Sequence, residues 1–254
     1  MSLFSQLYKS LYSPKDMARF RFQKIGKTIL YILLLALLTS IPETMQAGQF
    51  VKEQVLTLQN NFQKDVPNFT IENGELKSDS PNRIEKEEND FVFVFDPTNT
   101  QAPPSDMDGL YLLKDRFVTI SSGQQQAYTY SSIGSIPLTK TEVLDFFTFL
   151  KTIYPIAIFV LGFILLFINA FTSFIGISIL AFIGMLLSKQ MQRKLSYKQI
   201  WTLIAYCSTI PTIFFMIMKY LNITVLSPLL VYSLVTIVLL FVTLKEVPPT
   251  KTKL

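Results

Sequence analysis

The stretch "DPTNTQAPPSDMDG" (96–109) carries three carboxylates, Asp96, Asp106 and Asp108, close together on a loop-like segment. An acidic loop holds Ca²⁺ when about six oxygen ligands fall at set spacing and an acidic residue closes the ring. The spacing here matches no such loop, so the three are read as solvated turn residues. Cleavage of a glycosidic bond needs two carboxyl groups about 5–9 Å apart in space, which proximity along the chain does not establish. The inventory is more decisive. There is no His, and the single Cys, Cys207, lies inside an apolar run. No disulfide can form within the chain. Cysteine-based zinc sites and Cys/His or Ser/His/Asp catalysis are excluded. The expectation is a non-enzymatic protein with no catalytic, cofactor-binding or metal-ligating set.

The other polar residues of interest sit in apolar surroundings: Asn169, Thr172, Ser173, Ser208, Thr209 and Pro211. None of the central positions is charged. Ion-coupled transport generally needs an ionisable residue near mid-membrane, which argues against a coupled transporter though not against a passive pore. Asn169, Ser208 and Thr209 are expected to join helices by hydrogen bonds. Pro211 is expected to bend its helix.

Half of the 254 residues are hydrophobic, and they concentrate in 29–41 and 153–244. About 20 apolar residues cross a hydrocarbon layer of ~30 Å. The expected fold is therefore an α-helical integral membrane protein with an inserted small β-rich extracytoplasmic domain, α+β overall. The lipid bilayer is its first partner.

Charge sets the expected threading. Residues 43–145 hold 16 acidic and 8 basic residues; the rest of the chain holds 15 basic and 2 acidic, Asp16 and Glu246. Lys and Arg near spans are retained in the cytoplasm, so both termini are expected there, with the acidic block across the membrane. This segregation argues against a nucleic-acid partner. Lys9, Lys15, Arg19, Arg21, Lys24 and Lys27 before the first span, with Arg193 and Lys194 later, are the expected membrane-interface anchors. The expected order is a cytoplasmic amphipathic segment (1–27), a first transmembrane helix (28–47), an amphipathic stalk (48–66) and the β-rich domain (67–140). A long or broken transmembrane segment (141–188), a cytoplasmic basic loop (189–199), two more spans (200–219 and 225–244) and a cytoplasmic tail (245–254) follow. These crossings account for every basic cluster; Lys219, at the outer turn after the third span, is the lone exception and is expected to snorkel.

Within these segments the spacing is informative. Leu3, Phe4, Leu7, Tyr8 and Leu11 predict one apolar helical face, either against anionic headgroups or against the protein itself. Val51, Val55, Leu58 and Phe62 predict the stalk's apolar stripe. Asn73-Gly74 predicts a hairpin with a type I′ turn. "SDSPNRIEKEEND" (78–90) reads as a solvated, charged loop. "FVFVF" (91–95) reads as a strand, Lys114-Asp115 as a second hairpin turn, and "QQAYTYSSI" (125–133) as a last strand. The apolar run 153–187 is too long for one perpendicular span. It is either one long helix or two short ones meeting near Asn169–Ser173; one crossing puts the basic loop 189–199 in the cytoplasm.

The segments "SLYSPKDMARFRFQKIGKTILY" (10–31), "PNFTIENGEL" (67–76), "FVFVFDPT" (91–98) and "LSYKQIWTLIAYCSTIP" (195–211) resemble the DUF1189 family of membrane proteins from Firmicutes. The resemblance covers nearly the whole chain. It implies a Gram-positive bacterial membrane protein, transfers no catalytic residue, and through members labelled for maltodextrin utilisation hints at partners. The last segment is also similar to the wider Yip1-like superfamily, whose usual five spans would favour a split at 169–173.

From these readings the expected function is a multi-pass protein of the cell membrane. Its outer domain binds or senses an envelope partner, and its helical bundle acts as a scaffold or signalling element. The alternative is an accessory component of a transporter, such as one for sugar uptake, or a passive channel.

Overall fold

A computed structural model of the chain describes residues 1–80, 82–88, 91–101, 107–132 and 137–249. These form two compact units, one of Met1–Gln49 with Ile156–Leu254 and one of Phe50–Pro155. Two long helices, α3 (Ile25–Asp65) and α4 (Lys140–Gln190), contribute residues to both.

The helical unit adds α1 (Leu3–Tyr12), α2 (Pro14–Phe20), α5 (Tyr197–Cys207), α6 (Thr209–Tyr220) and α7 (Pro228–Lys245). Four stretches are long and apolar enough to cross a membrane: α3, α4, α5 with α6, and α7. Only 6% of the apolar window of α4 is buried against 67% of that of α5–α6, so α5–α6 is the central element and α4 a peripheral one. The core joins Met17 and Phe20 from α2, Tyr31 and Leu35 from α3, Ile177 and Ala181 from α4, and Leu240 and Leu244 from α7 around α5.

Three features of these helices depend on the folded chain. First, Ser13-Pro14 ends α1 but also begins α2. The Ser13 hydroxyl accepts from the Asp16 backbone N–H at 3.2 Å, and Pro14 takes the first helical position, where a missing N–H costs nothing. Second, the five apolar residues of α1 divide between two faces. Leu3, Gln6, Leu7 and Ser10 turn inward, while Phe4, Tyr8 and Leu11 are exposed. Both sets obey helical spacing; tyrosine hydroxyls in the core select the stripe that carries polar groups. Third, α4 is one helix of 51 residues, with Pro155 inside it and no break at Asn169–Ser173. The split favoured by the Yip1-like likeness is absent. The helix that carries Pro211 is interrupted at Ser208, between α5 and α6; a proline leaves the carbonyl of the residue four before it, here Cys207, without its helical donor.

In the β unit, β1 (Phe69–Glu72) and β2 (Glu75–Ser78) form the expected hairpin, with Asn73 (φ 55°) and Gly74 (φ 79°) in the left-handed region that a type I′ turn demands. β8 (Leu138–Thr139) joins β1 to complete a small sheet of order β2-β1-β8. The larger sheet has the order β3-β4-β5-β6-β7, from β3 (Ile84–Glu88), β4 (Phe91–Asp96), β5 (Asp108–Leu113), β6 (Arg116–Ser121) and β7 (Gln124–Thr129). The expected charged loop is thus in part the strand β3: main-chain pairing with β4 overrides the poor strand propensity of Glu and Lys. β4 alternates, with Phe93 and Phe95 on one buried face and Val92 and Val94 on the other. The Phe face meets Phe62 and Val66 of α3 and Val143 and Phe147 of α4. The stalk stripe is therefore buried at Phe62 and exposed at Val51.

β4 and β5 run parallel, with Val92 opposite Gly109. A Cβ on Gly109 would stand 2.5 Å from the Val92 carbonyl oxygen. Gly109→Ala is expected to destabilise the protein by roughly 1–3 kcal/mol, as overpacking against backbone does. Gly176→Ala, where a Cβ meets nothing within 4 Å, is expected to be neutral or stabilising by about 0.5–1 kcal/mol. Thermal unfolding of the two full-length variants in detergent checks the contrast.

Candidate functional site

The β unit contains a cleft of about 260 Å³ between α3 and the larger sheet. Its walls include Phe50, Gln54 and Thr57 of α3, Lys86 of β3, and Phe91 and Phe93 of β4. The helix presents these residues because Gln54, Thr57 and Leu58 lie one turn or less apart on the side facing the sheet. Phe62 closes one end, its ring 5.9 Å from that of Phe93 and 5.8 Å from that of Phe69. The charges on the walls are already engaged. Lys86 is ion-paired with Asp65, and Asp108 accepts the Ser122 backbone N–H at 2.6 Å. The cleft thus combines an aromatic floor, uncharged amide and hydroxyl groups, an ion-paired lysine and a carboxylate that accepts a backbone N–H. That chemistry fits a ligand with an apolar face and neutral hydrogen-bonding groups.

The acidic loop residues do not converge. Asp96 is only 2% exposed, and its carboxylate accepts from the Thr98 backbone and hydroxyl (3.1 and 2.7 Å) and from the Asn99 backbone and side chain (3.2 and 2.7 Å). It builds the turn that ends β4. Burial pushes its carboxyl up, but these donors outweigh that and hold it below the ordinary carboxylate value. Asp108 faces Ser122 instead, and Asp106 lies outside the described residues. Among the described residues no three Asp, Glu or Cys side chains are grouped to hold a metal.

In the helical unit, Asn169 does join helices, but its partner is ionic. Its side-chain amide donates to Glu43 at 2.6 Å, and the other oxygen of Glu43 is ion-paired with Lys219. Gln46 donates to the Lys219 carbonyl and, at 2.7 Å, to Asn222. Beside them a Cβ on Gly162 would stand 3.1 Å from the Thr44 hydroxyl, so α3 and α4 approach closely here. Lys219 is therefore a partner of Glu43 rather than a solitary snorkelling cation. Charge counting assigned Glu43 to the acidic block and so missed the pair; one acid and one base, each at the same end of an apolar segment, was the available signal. Thr209 accepts or donates a 2.5 Å bond with the Tyr31 hydroxyl, and the Ser208 hydroxyl donates to the Ala205 carbonyl at 2.9 Å.

The expected anchors are spread over the helical unit. Lys9 and Arg19 flank Asp16 at 3.3 and 3.6 Å. Lys15, Lys24 and Lys194 are exposed, and Lys27 donates to the Met1 carbonyl. Arg21 donates to the Ala18 carbonyl and lies over the Phe22 ring at 4.2 Å. Arg193 is half-buried, and its Nε and one Nη have no hydrogen-bond partner.

Together these features define an α+β protein with four helices of membrane-crossing length and apolarity, and a cleft-bearing β unit inserted between the first two. The chain belongs to the DUF1189 family, described as proteins of unknown function, whose model matches residues 4–244. No curated protein and no solved structure matches it.

Two measurements follow from the geometry. The lowered Asp96 carboxyl contributes stability that is complete above the unfolded-chain value of about 3.9 and is lost as pH falls through the lower folded value. Asp96→Asn should cost about 1–3 kcal/mol at neutral pH and flatten the acid limb of a stability–pH profile below about pH 4. Lys219→Ala should destabilise by roughly 1–3 kcal/mol, between the values for exposed and buried pairs. Exchanging the charges, Glu43→Lys with Lys219→Glu, should regain part of the loss in thermal unfolding.

Proposed function

We propose that this chain is a non-enzymatic, multi-pass protein of the cell membrane. Its β unit is extracytoplasmic and binds or senses an envelope partner, and its helical unit serves as scaffold or signalling element. The observation that carries the reading is the cleft: an aromatic floor with its charged groups already partnered, one wall of which is α3, the same helix that continues into the apolar unit. A ligand seated there touches Gln54 and Thr57 directly.

The threading rests on charge. Basic residues gather around α1–α2 and the α4–α5 connection, whereas the β unit and its flanks hold the acidic excess. In this orientation both termini are cytoplasmic. The exposed Phe4, Tyr8, Leu11 and Phe22, interleaved with Lys15, Arg19, Arg21, Lys24 and Lys27, form an aromatic and basic surface suited to anionic headgroups. Arg193 and Lys194 lie on the same side. The partners are lipid and an envelope protein or glycan, not nucleic acid. The Glu43–Lys219 pair supports the second reading, an accessory transport component or passive channel, because ionisable residues in apolar segments mark solute paths. Solute flux through liposomes carrying the purified protein, abolished by Glu43→Gln, would favour that reading over the first.

The orientation is tested in a Cys207→Ala background. Glu87→Cys, at an exposed position of β3, is expected to react with an impermeant maleimide in intact cells. Gln192→Cys is expected to react only after permeabilisation; the reverse pattern sinks the threading. A photoreactive residue at Thr57 is expected to yield an envelope adduct in native membranes, lost when Gln54→Trp fills the cleft. Absence of any adduct removes the binding reading.

A further inference from the structure

The larger sheet ends in two unlike edges. β3 bears Glu85, Lys86 and Glu87, all exposed, and charges on an edge strand discourage the addition of another strand. β7 has the sequence QQQAYT, with no charge and no proline, and every one of its residues is exposed. It pairs with β6 on one side and with no other strand among the described residues.

The turn before β7 decides which of its backbone groups face outward. Ser122 (φ 51°) and Gly123 (φ 75°) form a two-residue loop of type I′. The flanking pair, Ser121 and Gln124, therefore exchanges both main-chain hydrogen bonds, and the pattern alternates from there. Gln124, Gln126 and Tyr128 aim their N–H and C=O groups at β6. Beyond the strand, the Tyr130 N–H donates to the Asp115 carbonyl at 3.0 Å, which keeps the same parity. The N–H and C=O groups of Gln125 and Ala127 and the N–H of Thr129 consequently point away from the sheet, while the Thr129 C=O accepts the Ser132 hydroxyl at 2.6 Å.

Three outward residues spaced by two are self-complementary. An antiparallel strand of a second copy, centred on Ala127, brings Ala127 opposite Ala127 and Gln125 opposite Thr129. The Ala127 pair exchanges two main-chain bonds, and in each Gln125–Thr129 pair the Thr129 N–H donates to the Gln125 carbonyl; the two outer pairs are related by a two-fold axis. A methyl group lies at the axis, where a bulky or charged side chain would meet its own copy. A foreign strand finds no charge on β7 to select it, whereas self-pairing is selected by register.

We propose that β7 is a dimerisation edge, where the exposed backbone of Gln125, Ala127 and Thr129 joins the same strand of a second copy antiparallel, in register at Ala127. The two sheets then become continuous. This does not depend on which side of a membrane the β unit occupies.

The test uses the full chain in detergent and in native membranes, in a Cys207→Ala background. Opposed Cα atoms of a hydrogen-bonded pair lie about 5.5 Å apart, within disulfide range. Ala127→Cys is therefore expected to form a covalent dimer of this chain on mild oxidation, at least about tenfold faster than Gln124→Cys, which the register separates from its copy. Ala127→Pro removes one outward N–H and none of the bonds to β6. It is expected to convert the dimer to a monomer by light scattering, with an unchanged circular-dichroism spectrum. A folded Ala127→Cys protein that stays monomeric, cross-links no faster than Gln124→Cys, or is captured only by another protein overturns the proposal. If Ala127→Pro fails to fold, the cysteine comparison decides alone.

Discussion

The helical unit depends on the burial of α5 on every side. Each residue from Ile200 to Thr209 is buried, so this segment has no wetted face on which to leave a polar atom. Four of its side chains find partners on the helices around it, while the Thr202 hydroxyl is buried without one; an unpaired group in such surroundings costs more than a satisfied one gains. The Tyr206 hydroxyl donates to Gln6 of α1 at 3.2 Å, Thr209 bonds Tyr31 of α3, and Trp201 donates to Ser178 of α4 at 3.1 Å. Cys207 lies 3.7 Å from the Thr243 hydroxyl of α7. Each neighbour is thereby fixed in register as well as pressed against an apolar surface. Close approach adds to this: a Cβ on Gly184 of α4 would stand 2.7 Å from Ile200 and 2.8 Å from Leu240. The same demand explains why α1 turns Gln6 inward, toward the Tyr206 hydroxyl, and leaves an aromatic stripe outside.

The β unit solves a different problem. A strand of alternating Phe and Val is apolar on both faces, so both must be covered. Phe62 and Phe147, from the end of α3 and the start of α4, cover the Phe side, with rings 6.0 Å apart. Val118, Ile120, Tyr111 and Leu113 gather on the Val side. The cleft arises where the α3 stripe runs past the edge of this packing: Phe62 is buried, yet Phe50, three turns earlier on the same helix, is exposed. Aromatic surface is left accessible next to amide and hydroxyl groups, which is what a binding surface requires and a folding core does not.

Ionic groups are placed by the same logic. Asp16 sits in the first turn of α2, between Lys9 and Arg19, where its charge also complements the helix dipole. Glu43, with its side chain 17% exposed, is held by an ammonium and an amide.

Local pattern alone determined much of this protein. Apolar stretches and their basic flanks marked the four long helical segments, Asn73-Gly74 marked a type I′ hairpin, and Phe91–Phe95 marked a strand. The missing histidines and lone cysteine removed whole classes of chemistry. These are properties of composition and short-range geometry, which act within a few residues. The tertiary structure decided what depends on distant partners: that β4 and β5 pair in parallel, that Glu85–Glu87 become an edge strand, that α4 runs unbroken through Asn169, and that Glu43 meets Lys219. It also chose between the two stripes of α1 and set the cleft between α3 and β4. Spacing gives the direction in which a side chain leaves the backbone, but only the packed chain gives what it meets there.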